Sequence, residues 1–222
     1  MAIRPSLHSD AFSRRNLPPE SQWPIFEFTL AALEIPDPFN CGEWLLDGAL
    51  KVSPNAPAIF FGDQVWSYAD LAAMTNRLCH VLTEDFGIDP GNRILLRGGN
   101  SPMLFAAWLA TMKVGAIAVT TMPMLRAYEL RQIVEKAQIG LAICAEDLTA
   151  ELKPLLSSSP LKRLAAYGDR DGALERAMQN KAVVRQLPAR RQLVTQPFCF
   201  RVRERRDTAL TSLTFLCGKP TF

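Results

Sequence analysis

Between Gly91 and Leu130 the chain reads GNRILLRGGNSPMLFAAWLATMKVGAIAVTTMPMLRAYEL, and no other stretch narrows the possible folds as far. The apolar run from Arg93 to Arg97 predicts a short strand; two glycines and Ser101-Pro102 follow it. A serine hydroxyl accepts from the free amides of a helix's first turn. Proline at the first helical position gives up only an N–H that has no partner there, so the pair predicts a helix starting at Pro102. That helix runs to Lys113 and is apolar nearly all round, as one packed on a sheet and covered on its outer side should be. Gly115 supplies the left-handed residue that ends it, and Ala116 to Thr120 is apolar and β-rich. A strand, a helix and a strand joined this tightly imply a right-handed crossover and parallel pairing.

The alternation continues. A helix is expected over Met124 to Ala137, a strand over Ile139 to Cys144, a helix over Asp147 to Leu156 and a last strand over Arg163 to Tyr167. Upstream, Pro57 to Phe61 and Gln64 to Ser67 flank Gly62-Asp63, a dipeptide suited to a tight hairpin. Ser67 then caps a helix whose Leu71, Leu78 and Leu82 share a face and whose end is marked by Gly87. Asn40 is the expected cap of an earlier helix carrying Trp44, Leu45 and Leu46. Before it, Pro18, Pro19, Pro24, Pro36 and Pro38 forbid a long helix. The expected organisation is an extended arm over 1–39 with one short helical piece, an α/β lobe with a mostly parallel sheet flanked by helices over 40–180, and an irregular basic tail over 181–222. Residues 40 to about 167 should be ordered.

Charge and cysteine usage exclude several function classes. A net charge of +3 is too small to argue for nucleic acid or an anionic membrane. It is unevenly placed: residues 183–206 hold seven arginines, no lysine and one glutamate, so the rest of the chain is slightly acidic. Arg185, Arg190, Arg191, Arg201, Arg203, Arg205 and Arg206 with Phe198 and Phe200 could contact nucleic acid, but no recognised fold surrounds them, and a solvated tail is the favoured reading. Arginine without lysine also fits out-of-frame translation better than a natural basic linker. Cys41, Cys79, Cys144, Cys199 and Cys217 are widely spaced and odd in number, which reads as reduced thiols in a cytoplasmic protein. His8 and His80 are the two histidines, too few for a metal cluster, and His80 reads as a surface or packed helical residue rather than a catalytic one. Met103 to Met122 is long enough to suggest a membrane span, yet Lys113 and Gly115 divide it into two elements. No secretory signal is read at the N-terminus.

The runs Gly91-Asn92-Arg93-Ile94-Leu95-Leu96-Arg97 and Thr121-Met122-Pro123-Met124-Leu125-Arg126-Ala127 resemble the N-terminal domain of adenylate-forming acid–CoA ligases. The resemblance is strongest to the 2-aminobenzoate–CoA and benzoate–CoA ligase group, where Gly-Asn-Arg-Val-Leu-Leu-Arg and Thr-Met-Pro-Leu-Leu-Arg-Ala recur. It covers residues 17 to about 180 and is most specific from 88 to 130. It implies ATP, Mg2+ and coenzyme A as cofactors and an aromatic carboxylic acid as substrate. The implied reaction forms an acyl-adenylate and then an acyl-CoA.

In that family a loop like Thr-Ser-Gly-Thr-Thr-Gly-Lys-Pro-Lys wraps the ATP phosphates. Its counterpart here is the segment from Thr211 to Phe222, in which the resemblance assigns phosphate contacts to Thr211, Ser212, Thr214, Gly218 and Lys219. Phe215, Leu216 and Cys217 replace the first loop glycine and its hydroxyl neighbours, and such side chains cannot reproduce an oxyanion-wrapping turn. The family's other catalytic and magnesium-binding segments have no positions in 222 residues, so no catalytic residue and no metal ligand is assigned. The expectation is therefore an N-terminal ligase fragment that is inactive alone and binds no cofactor productively. The alternative is a non-catalytic interaction module docking on an intact ligase subunit. Self-association through uncovered apolar surface is expected, with Leu104, Phe105, Trp108 and Leu109 spanning too wide an arc for one interface.

Overall fold

The computed structural model describes residues 7–23, 39–168 and 172–183. Its centre is a four-stranded parallel sheet made of β3 (Arg93–Arg97), β4 (Ile117–Thr121), β5 (Leu141–Ala145) and β6 (Arg163–Tyr167). The spatial order is β4-β3-β5-β6, with Leu95 of β3 set against Val119 on one side and Ala142 on the other. A separate antiparallel hairpin joins β1 (Pro57–Phe61) to β2 (Gln64–Ser67).

Alternation along the buried strands sorts their side chains into two cores. Ile94, Leu96, Leu141 and Ile143 face α3 (Tyr68–His80), α4 (Pro102–Lys113) and α6 (Ala173–Met178), with α2 (Cys41–Val52) outside them. Leu95, Ala142 and Cys144 face α5 (Ala127–Ala137) and the 3₁₀ turns Glu146–Glu151 and Lys153–Leu156 on the opposite side. Each such leucine or isoleucine taken fully out of water contributes roughly 1.5–3 kcal/mol. Helix starts follow the capping residues. The Asn40 side chain accepts from Glu43 N, Ser67 and Asp70 form a reciprocal capping box, and Ser101 Oγ accepts from Leu104 N. Asn40 does more, because its Nδ2 donates to Lys113 O at 3.0 Å and so ties the start of α2 to the end of α4.

Four expectations are corrected. Helix α5 starts at Ala127 rather than Met124, because the carbonyls of Met122, Pro123 and Leu125 are taken by the Arg97 guanidinium. The stretch 147–156 is two 3₁₀ turns rather than one α-helix, and Pro154, lacking an N–H, sits in the second of them. Helix α3 runs into a π turn at Val81–Asp85 that keeps both Val81 and Leu82 fully buried. The open arc on α4 is narrower than expected: α2 and α3 cover it, Leu109 is buried, Leu104 and Trp108 are partly buried, and Phe105 is exposed with its ring stacked on Trp108. Of the cysteines, expected as buried reduced thiols, Cys79 and Cys144 are buried and Cys41 is half-buried, none of the three in a disulfide, while Cys199 and Cys217 lie outside the described residues.

The arm is held at the amino end of the sheet. It contains α1 (Phe12–Arg15) and the 3₁₀ turn Glu20–Gln22. Asp10 N donates to Pro90 O at 2.9 Å, the Asp10 carboxylate pairs with the buried Arg93 and accepts from Asn92, and the Phe12 ring lies 4.5 Å beneath the Arg93 guanidinium. Gly91 makes this approach possible: its φ is 91°, and a Cβ there would stand 2.2 Å from Asp10 O. Burial raises the Asp10 carboxyl, but hydrogen bonds from the Phe12 amide and Arg93 outweigh it and hold the group below its ordinary 3.8. A depressed carboxyl stabilises the folded state above its unfolded pKa and loses that contribution as pH falls through the folded value. Asp10→Asn should therefore speed amide exchange in residues 10–16 at neutral pH, and the unaltered chain should show the same loosening below pH 3.8. Unchanged exchange in the variant would mean that the carboxylate does not hold the arm.

Candidate functional site

The strand order places the crevice. From β3 the chain passes to β4 on one side, then returns past β3 to β5 on the other, so the connections after β3 and β5 diverge at the carboxyl ends of these strands. Open α/β sheets bind ligands at such a switch point. Here its walls are Gly98 to Ser101 after β3, Met122 to Leu125 after β4, Glu146 after β5 and Gly168 after β6.

Arg97, at the carboxyl end of β3, is 1% exposed. Its Nη1 donates to Met122 O, and its Nη2 to Pro123 O and Leu125 O, each at 2.8 Å. The loop is thereby clamped from beneath, while Met122, Met124 and Tyr128 stand exposed on its outer side. Glu151 completes the corner: it accepts from Ala127 N at 2.8 Å and from Arg126 Nη1 at 3.0 Å, which holds its carboxyl below the usual range.

Between β3 and β6 the crevice is filled by Tyr167. Its hydroxyl lies 3.5 Å from Arg97 O, and a Cβ on Gly98 would stand 1.9 Å from that oxygen. Burial pushes the Tyr167 phenol up to about 12, with the Ser101 hydrogen bond acting the other way. Burial likewise pushes the Cys144 thiol up to about 12. Both groups stay protonated near neutrality, so neither serves there as a nucleophile or base. Ser101 is spent on the α4 cap.

The space over Gly98 is occupied by the Tyr167 phenol. Thr211, Ser212, Thr214, Gly218 and Lys219 lie outside the described residues. Among the described residues no cluster of three or more His, Cys, Asp or Glu side chains could hold a metal ion, and no helix is long and apolar enough to cross a membrane. His80 sits on α3 with Nδ1 2.6 Å from Glu84 Oε1. Sequence reasoning missed Arg97, Gly98 and Tyr167. A charged residue closing the apolar run Ile94-Leu95-Leu96 was the available signal for the first.

The profile of the family described as AMP-binding enzyme matches residues 46–209, which is most of the chain. The chain belongs to the AMP-binding enzyme family. Among AMP-binding relatives, malpinin synthetase from Mortierella alpina is 35% identical over 98 residues, which are 44% of this chain and 1% of that protein. The 2-succinylbenzoate–CoA ligase of Salmonella typhimurium is 32% identical over 117 residues, covering 53% of this chain and 25% of the ligase. Among solved structures, the anthranilate CoA ligase AuaEII superposes with a TM-score of 0.65 at 17% identity, over 72% of this chain and 30% of that one. The chain thus spans a quarter or less of these curated relatives, and its fold is that of the N-terminal region of adenylate-forming enzymes.

The Gly98–Tyr167 contact is testable by paired substitution. Gly98→Ala should cost about 1–3 kcal/mol by overpacking, and adding Tyr167→Phe, which removes the clashing oxygen, should recover a good part of the lost melting temperature. A double variant no more stable than Gly98→Ala would show that the phenol does not set the constraint. Both raised groups also predict an alkaline limit. Their folded pKa values exceed the ordinary 9.0 and 10.0, so their contribution is intact below pH 9.0 and is lost as pH rises toward about 12. A melting temperature flat from pH 9 to 11 would contradict it.

Proposed function

We propose that this chain is the N-terminal part of an ATP-dependent acid–CoA ligase that activates an aromatic acid, with 2-aminobenzoate and benzoate the first candidates. The parent reaction joins the acid to AMP with release of pyrophosphate, then passes the acyl group to the thiol of coenzyme A. What carries the reading is where the two runs that resemble aryl–CoA ligases fall. Residues 91–97 end in Arg97, and residues 121–127 contain the three carbonyls it clamps, so the runs are the two halves of one contact. Two compared proteins support an aromatic acid by their names: a 2-succinylbenzoate–CoA ligase and an anthranilate CoA ligase, the latter in complex with anthranoyl-AMP.

In this reading ATP, Mg2+ and coenzyme A are cofactors of the whole ligase in the cytoplasm, and the residues of this chain toward the phosphates are Thr211, Ser212, Thr214, Gly218 and Lys219. Phe215, Leu216 and Cys217 between them spoil the wrapping loop. The 222-residue chain alone is therefore inactive. A specific observation favours the second reading, an interaction module docking on an intact ligase subunit. Phe60 and Val65 form a cross-strand pair on the hairpin, and both are exposed beside an exposed Phe61. Such a face also permits self-association.

Incubation of the purified chain with ATP, magnesium, coenzyme A and either acid should yield no acyl-CoA above background, since losing preorganised charge stabilisation costs orders of magnitude in rate. Turnover abolished by Lys219→Ala would overturn the inactive assignment. Sedimentation with an intact aryl–CoA ligase separates the two readings: a joint complex, weakened by Phe60→Ser, would favour the module.

A further inference from the structure

The N-terminal arm crosses the amino end of the sheet at a point where the chain beneath it has no side chain. A Cβ on Gly91 would meet Asp10 O and stand 2.9 Å from His8 Cβ, so residues 8–10 rest on the bare backbone of the turn before β3. Ser9 Oγ and Asp10 N both donate to Pro90 O, at 3.0 and 2.9 Å, and Asn92 Nδ2 and Arg93 Nη1 donate to the Asp10 carboxylate. In this close fit His8 is half-buried, and its Nε2 is shielded from water.

A neutral imidazole tolerates such shielding, whereas an imidazolium needs its hydration or a counter-charge. The elements that meet at this end of the sheet carry Asp10 on the arm, Arg14 and Arg15 on α1, Asp89 before β3, Arg93 on β3, Lys113 at the end of α4, and Glu135 and Lys136 in the last turn of α5. Burial holds the His8 imidazole below its ordinary 6.5; the Asp10 charge opposes it but is already engaged by Arg93. Because the arm lies backbone on backbone at Gly91, a charged His8 ring gains its water only if the arm moves away. The sheet does not depend on that contact. Without the arm, Arg93 keeps the carbonyls of Gly91, Ala137 and Gln138, at 2.9, 2.8 and 3.0 Å.

We propose that residues 8–16 are a two-step acid latch: protonation of His8 first loosens the arm from Pro90 and Gly91 while Asp10 is still ionised and the sheet stays folded, and protonation of Asp10 then completes the release. The direction of the first step follows from linkage. A histidine whose docked pKa lies below its undocked 6.5 leaves docking at full strength above pH 6.5 and weakens it as pH falls from there through the docked value. Asp10 acts with the same sign but only below 3.8, so the two steps occupy separate ranges of pH. The latch rests on the packing of the arm and stands whether or not the ligase reading holds.

The test is amide exchange on the full-length chain at about pH 7.5 and pH 5, with rates corrected for the intrinsic effect of pH. Protection of residues 9–16 should fall at least threefold at the lower pH while the β3 amides keep theirs, and His8→Gln, neutral throughout, should remove that difference. Arm protection that does not change, that falls equally in His8→Gln, or that falls together with β3 would overturn the proposal. Should His8→Gln fail to dock at pH 7.5, titration of the His8 ring by NMR in the unaltered chain decides. Its midpoint should lie below 6.5 and coincide with the loosening of the arm. A midpoint at or above 6.5, or one at which the arm does not loosen, overturns it.

Discussion

Two arginines at the ends of one strand hold this lobe in register. Arg93 and Arg97 lie four residues apart on β3 and so point to the same side, toward α5. Arg97 gathers the carbonyls of the loop that leads into α5, and Arg93 donates to Ala137 O at 2.8 Å and Gln138 O at 3.0 Å, where the helix ends. A guanidinium taken out of water must find acceptors for its donors or destabilise the fold by several kcal/mol. Serving the terminal nitrogens of both groups at once fixes the helix lengthwise against the strand, while Arg97 Nε is left without an acceptor among the described residues. The cation at the C-terminal end also complements the helix dipole. Lysine at Arg97 could not replace it, since three carbonyls around a planar fork are not met by one point charge.

Local chemistry explains which parts of the fold were legible in the sequence. Asn40, Ser67 and Ser101 announce helix starts because a cap needs only residues three or four apart. The strand at 93–97 was readable to the residue, being bounded by turn residues and apolar between its ends. The start of α5 was not, because Met124 and Leu125 have good helical character and are drawn off by an arginine more than 25 residues away. The contact of Tyr167 with Gly98 spans a far longer stretch of sequence and leaves no local trace. The extent of cover on α4 escaped for the same reason: the sequence shows that Leu109 is apolar, not that α2 and α3 will lie over its helix. Of the crevice, its position follows from strand–helix alternation, whereas the residues assigned to phosphate lie outside the described residues.

The lobe supplies framework more than chemistry. Cys144 and Tyr167 are pushed toward their neutral forms, and the buried cations already have partners: Arg97 backbone carbonyls, Arg93 carbonyls and Asp10, and Lys113 the Asp47 carboxylate. Membership of the AMP-binding family accounts for this division, since the described residues match only the N-terminal region of larger relatives. The surface left uncovered is correspondingly apolar at the hairpin and at the Met122–Met124 loop.

The pairing of Asp10 with Arg93 closes a span of 83 residues. On the ribosome the arm emerges well before its partner strand exists, and β3 in turn gains its place only after β4 and β5 have been made. At some 5–20 residues per second the arm waits several seconds with nothing to bind. The earlier-made segment is therefore the later to settle, sealing the amino end of a sheet already assembled from parts synthesised after it.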